Sequence, residues 1–163
     1  MKKLSQRAAL VTGGGRRIGA GIAKALAADG WFVYIHCHKS SNQASDVLQE
    51  IKADNGNGVV ITQDLSERGA AERLIRKVEN GPAPLIALIN NASLFEYDTV
   101  ENITEKSLDE HFAVNVRSPT ILSKVFANSL SKDTNGCIIN ILDNKIYAIN
   151  PDYLSYTISK VAL

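Results

Sequence analysis

The chain has 163 residues, 45% of them apolar and 21% charged, with 18 Lys plus Arg against 17 Asp plus Glu, the make-up of one ordinary globular domain spanning residues 1–163. Near-neutral charge argues against a nucleic-acid partner, which needs a clustered basic stripe, and no apolar run approaches the roughly 20 residues that cross a bilayer. Met1-Lys2-Lys3 runs into Gln6 and Arg7 rather than a signal-type apolar core, so the expected compartment is the cytoplasm.

In chain order, residues 7–12 (RAALVT) form an apolar run ending in Gly13-Gly14-Gly15, followed by Ile18, Ile22, Ala25 and Leu26 at helical spacing: strand, glycine turn, helix. Residues 31–37 (WFVYIHC) are rich in aromatic and β-branched side chains and read as a second strand, and Val47, Leu48 and Ile51 place a helix over residues 42–54. A third strand is expected at residues 58–62, then a helix over residues 66–80 with Ser66 as N-cap and Glu67 in its first turn. After Gly81-Pro82-Ala83-Pro84, residues 85–89 (LIALI) show no polar alternation, the mark of a strand covered on both faces. A loop over residues 90–102, a long helix over residues 104–130 containing Pro119, a fifth strand at residues 137–142 and a last helix from about Asp152 complete the chain.

Such regular alternation predicts an α/β fold, a doubly wound parallel sheet with right-handed crossovers and strand order 3-2-1-4-5. Cys37 and Cys137 would then lie three strand spacings apart, about 14 Å, beyond the roughly 7 Å Cα limit of a disulfide. Both are expected to be reduced, buried thiols.

Gly13, Gly14, Gly15 and Gly19 stand where the first strand enters the first helix, so backbone N–H groups and a helix N-terminus face an incoming phosphate. The same glycines also build purely structural turns. Arg16 and Arg17 favour the phosphate, because cations beside the positive end of a helix dipole are unfavourable unless an anion lies between. In a dinucleotide site, an acid closing the second strand accepts from the ribose 2′-OH. Here that place reads His36-Cys37-His38-Lys39-Ser40, with no acid before Asp46, and His38, Lys39 and Ser40 suit a 2′-phosphate. NADPH is favoured over NADH. No metal site is expected, since His111 is far along the chain from His36 and His38 and no acidic or thiol cluster completes a ligand set.

Tyr156 and Lys160, four residues apart, share one face of the last helix, just past the carboxyl end of the fifth strand, where ligands sit in such sheets. Moving a phenol from a pKa of about 10 to 7 takes about 4 kcal/mol, and an ammonium at about 5 Å supplies about 3 kcal/mol at an effective dielectric of about 20.

With these residues assembled, the chain resembles the short-chain dehydrogenase/reductase family along its whole length. The family's Thr-Gly-x-x-x-Gly-x-Gly turn is similar to Thr12 to Gly19, its Asn-Asn-Ala-Gly to Asn90-Asn91-Ala92-Ser93, its helix asparagine to Asn115, and its Tyr-x-x-x-Lys to Tyr156 and Lys160. The resemblance implies NAD(P)-dependent hydride transfer. Tyr156 would be the acid/base, Lys160 would lower its pKa and hold the nicotinamide ribose, and Asn115 would organise a proton-relay water. Cofactor contacts carried over with the motifs are Gly13, Arg16, Arg17, Ile18, His36, Asn91, Ala92 and Ser93, with Asp64 and Leu65 beside the adenine.

Three departures resemble the pteridine reductase branch: Arg17 in place of the second family glycine, Ser93 in place of the glycine after Ala92, and Asp143 where the usual catalytic serine stands. That branch also has a His-x-His-basic-Ser segment and a Phe two residues past the serine, here Phe95. The resemblance implies that Phe95 and Ser93 contact a flat heterocycle and that Asp143 with Tyr156 delivers protons to a C=N bond. Phe95 as a loop anchor and Asp143 as a turn residue are the plainer alternatives. The family continues about ninety residues past this motif, so the 163-residue form is expected to be cut short, with an incomplete substrate pocket and little turnover. Three functions remain in play: reduction of a pterin-like carbonyl or imine, general carbonyl or 3-oxoacyl reduction, and a non-catalytic NADP-binding module. The family implies a homo-oligomer, tetramer or dimer.

Overall fold

The computed structural model describes residues 7–163. Five parallel strands, β1 (Ala8–Val11), β2 (Phe32–Cys37), β3 (Asn57–Thr62), β4 (Leu85–Asn90) and β5 (Cys137–Asn140), lie in the order β3-β2-β1-β4-β5, as the sequence predicts. Six α-helices connect and flank them: α1 (Arg17–Ala28), α2 (Ser41–Ala53), α3 (Ala70–Glu79), α4 (Glu105–Phe112), α5 (Ser118–Ser129) and α6 (Leu154–Ala162).

Because side chains alternate along a strand, the sheet feeds two cores. Leu10, Tyr34 and Leu88 meet Leu74, Val78, Leu122 and Phe126 of α3 and α5 on one face. Val11, Val33, Ile35 and Ile89 meet Ala23, Ala27, Val47 and Ile51 of α1 and α2 on the other. Among the described residues, no helix is long and apolar enough to cross a membrane.

Three expectations change. Ser66 does not cap α3: its amide and hydroxyl both donate to Asp64 Oδ1 (2.8 and 2.7 Å), closing a local turn, and Gly69 at φ 74° leads into the helix instead. The long helix is interrupted by a π turn, Ala113–Arg117, between α4 and α5. Pro119 has no N–H to offer the preceding turn and its ring crowds the carbonyl four residues back, and the wider π turn accommodates it. Finally, Cys37 is buried but Cys137 is exposed, because β5 is the edge strand of the described sheet, paired with β4 alone.

Candidate functional site

The site forms at the carboxyl ends of β1, β2 and β4. Gly13 adopts φ 64°, and a Cβ on Gly19 would overlap the Gly13 carbonyl and the Asn91 amide, so both positions require glycine. Asn91 clamps the turn: Nδ2 donates to the carbonyls of Thr12 (2.9 Å) and Gly13 (3.2 Å), while Thr12 Oγ1 accepts from the amides of Asn91 (2.9 Å) and Ala92 (3.0 Å). From below, His36 Nδ1 accepts the Gly13 N–H (3.1 Å) and Nε2 pairs with the Gln63 carbonyl (2.9 Å). The ring is 2% exposed, and burial lowers its pKa to about 4, so it is neutral with its proton on Nε2. Both ring nitrogens are thus taken up in holding the turn, and the residue also lines the hollow that reaches His38 and Lys39.

Arg17 opens α1 at φ 47°, a left-handed conformation that favours glycine. The exposed Arg16 and Arg17 flank the turn.

Two adjoining hollows share Gly13, Arg16, Ala92 and Ser93. One, of about 400 Å³, reaches His38, Lys39, Ser40, Asp64 and Leu65. The other, of about 330 Å³, runs past Arg17 and Ile18 to Phe95, Asp143, Tyr156 and Lys160. Together they make one groove across the glycine turn, which gathers nearly every residue singled out from the sequence. Asp64 closes its far end. Burial alone would raise this carboxyl's pKa, but the hydrogen bonds from Ser66 bring it below the usual range, and His38 Nε2 lies 3.5 Å away.

At the near end the Tyr156 hydroxyl donates to Asp143 Oδ2 (2.6 Å), and Asp143 Oδ1 accepts the Lys145 amide (2.9 Å). These two bonds, that of Tyr156 first, hold the Asp143 carboxyl below the ordinary carboxylate range. Lys160 Nζ donates to the Ile141 carbonyl (2.8 Å) and sits 5.8 Å from the centre of the Tyr156 ring. The expected lowering of the phenol's pKa by Lys160 is therefore corrected. Burial, and then the adjacent Asp143 carboxylate, raise it, because the charge closest to the hydroxyl is negative.

Asn115 lies in the π turn, 1% exposed, with its amide fully used: Oδ1 accepts from Leu94 N (2.7 Å) and Ser93 Oγ (3.2 Å), and Nδ2 donates to Leu94 O (3.0 Å) and Ser159 Oγ (2.9 Å). The side-chain amide thus has no donor or acceptor left over for the expected relay water. Ser159, which the sequence reading missed, also donates to the Tyr156 carbonyl (2.7 Å). Phe95 stacks on Tyr153 (centroids 4.2 Å, planes 8° apart) and meets the Tyr156 ring edge to face at 4.6 Å.

The short chain dehydrogenase family model matches residues 7–163. The structure is similar to that of FolM alternative dihydrofolate reductase 1 from Brucella canis complexed with NADP, with a TM-score of 0.90 and 36% identity over 99% of this chain and 64% of that one. It is also similar to a 3-oxoacyl (acyl-carrier-protein) reductase from Agrobacterium tumefaciens C58 with NADP bound, with a TM-score of 0.90 and 31% identity over 98% and 61%. An uncharacterised oxidoreductase of Methylorubrum extorquens is 32% identical over the whole chain, which covers 65% of that relative. The chain thus spans less than two thirds of each of these proteins. With the glycine turn, the Asn91 clamp and the Tyr156–Lys160 pair in place, the chain belongs to the short-chain dehydrogenase family.

Proposed function

We propose that the chain carries the cofactor site and catalytic pair of an NADPH-dependent reductase acting on a carbonyl or imine (C=N) bond, with a pterin as the favoured substrate class. The observation that carries this reading is the Tyr156 hydroxyl, 2.6 Å from Asp143, at one end of a groove that runs to Lys39 and Asp64.

The groove fits the dinucleotide. Gly13 and Gly19 let the turn pack closely on Asn91 and Ala92, so that its backbone can meet a pyrophosphate with Arg16 and Arg17 beside it. His38, Lys39 and Ser40 would take the 2′-phosphate, Asp64 and Leu65 the adenine, Asn91, Ala92 and Ser93 the middle of the groove, and Lys160 the nicotinamide ribose. Bound NADPH supplies a hydride. Tyr156, kept neutral by burial and by Asp143, gives its proton to the substrate heteroatom as the electron pair arrives there. The Lys160 ammonium then holds the phenolate, which Asp143 reprotonates by relaying a solvent proton. Phe95 and Ser93 would face a flat substrate.

The Brucella relative supports the pterin, because the dihydrofolate of its name contains a pteridine ring. The Agrobacterium relative supports a 3-oxoacyl or general carbonyl substrate, against which Asp143 weighs in place of a serine. A homo-oligomer, dimer or tetramer, through the helices after β4 (α4 and α5) and after β5 (α6) completes the proposal. The test is NADPH oxidation, by a form long enough to complete the substrate pocket, with dihydropterins, folates and simple ketones: dihydropterins or folates should be consumed fastest, and consumption of ketones alone would remove the pterin.

A further inference from the structure

Helix α6, which carries Tyr156 and Lys160, starts without a cap of its own. At its N-cap Tyr153 has left-handed angles (φ 58°, ψ 50°) and makes no side-chain capping bond. Its first amides are satisfied from outside. Asp98, in the loop after β4, accepts the Leu154 N–H at its backbone carbonyl (3.2 Å) and the Ser155 N–H at Oδ1 (3.0 Å). Asp98 Oδ2 accepts the Ser107 hydroxyl of α4 (2.8 Å).

The carboxylate is 3% exposed. Burial alone would raise its pKa, but the bonds from Ser155 and Ser107 bring it below the usual range. A charged group there also complements the positive end of the helix dipole. The loop is pinned on the same side by His111, whose Nε2 accepts the Glu96 N–H (3.3 Å) and whose Nδ1 pairs with the Ser107 carbonyl (2.8 Å). One buried carboxylate thus joins the loop that carries Phe95, helix α4 and the first turn of α6, immediately before Tyr156.

We propose that Asp98 is a positioning residue for Tyr156 and Lys160, capping their helix across the fold and fixing it against the loop that carries Phe95. The inference rests on the reading of Lys160 as a cofactor contact, and a double-mutant cycle on NADPH affinity separates the two. In the wild-type background Lys160→Ala should weaken NADPH binding at least about tenfold, the loss of one charge-assisted bond. In an Asp98→Ala background Lys160 is no longer aimed at the groove, so the same change should cost less than about twofold. Asp98→Asn keeps an oxygen for the Ser155 amide and should restore most of the wild-type penalty. Amide exchange should quicken in α6 of Asp98→Ala while β1 and β4 stay protected. If Asp98→Ala does not fold, Ser107→Ala removes one bond only and should shrink the Lys160 penalty part of the way. Equal Lys160 penalties with and without the Asp98 bonds overturn the positioning role and leave the cofactor reading standing. No Lys160 penalty in the wild type overturns both.

Discussion

The Tyr156 hydroxyl is hydrogen-bonded to Asp143, not to Lys160. The phenol is thereby kept protonated and suited to give a proton rather than to take one. Asp143→Asn retains an acceptor but removes the charge, so the Tyr156 pKa should fall, with burial still holding it above the ordinary value. Ultraviolet difference titration between Asp143→Asn and its Tyr156→Phe counterpart, set against the same pair with Asp143 intact, isolates this phenol. An ionisation midpoint that does not move would show that Asp143 has no hold on it. Turnover should drop about 100-fold in Asp143→Asn, the scale of one acid/base contribution.

His36 makes the fold sensitive to acid. Its folded pKa of about 4 lies below the unfolded value of about 6.5, so the unfolded chain binds a proton that the native ring refuses. Stability from this residue is present above about pH 6.5 and lost as pH falls toward 4, amounting to about 3 kcal/mol. Urea unfolding at pH 7 and pH 4.5 measures most of it: the wild type should lose more stability than His36→Asn by about 2 kcal/mol. Parallel losses would remove the assignment.

Arg17 occupies a backbone conformation that costs a non-glycine residue about 1 kcal/mol. Arg17→Gly should therefore raise stability by several tenths of a kcal/mol or more while weakening NADPH binding several-fold, the mark of a residue kept for function at the expense of stability. Thermal melts and NADPH titration of the same variant test both halves. Tighter or unchanged NADPH binding would make Arg17 a mere surface residue.

Lys39→Ala should weaken NADPH binding by about 1.5 to 3 kcal/mol and leave NADH nearly unaffected, because only NADPH carries the 2′-phosphate. Fluorescence titration with both cofactors decides it, and equal losses would contradict the assignment of the His38-Lys39-Ser40 segment.

The sheet order was legible in the sequence because each strand and helix carries its own local signature: the continuously apolar β4, the glycines after β1, the helical spacing of Val47, Leu48 and Ile51. The features that escaped depend on tertiary placement. Ser66 has the composition of a helix cap, yet its hydrogen bonds go to Asp64, two residues back. Asp98 caps a helix that starts more than fifty residues later, a pairing that no local pattern encodes. The spacing of Tyr156 and Lys160 placed both on one face correctly. The sign of the phenol's shift was set by Asp143, thirteen residues earlier, which the turn after β5 brings closer to the hydroxyl than the ammonium.

Tyr156→Phe, made in a form long enough to complete the substrate pocket, bears most directly on the whole account, measured as NADPH oxidation at 340 nm alongside NADPH affinity. The account predicts that oxidation of the best substrate falls at least about 100-fold while affinity changes less than about twofold. Undiminished oxidation by the phenylalanine variant would contradict it.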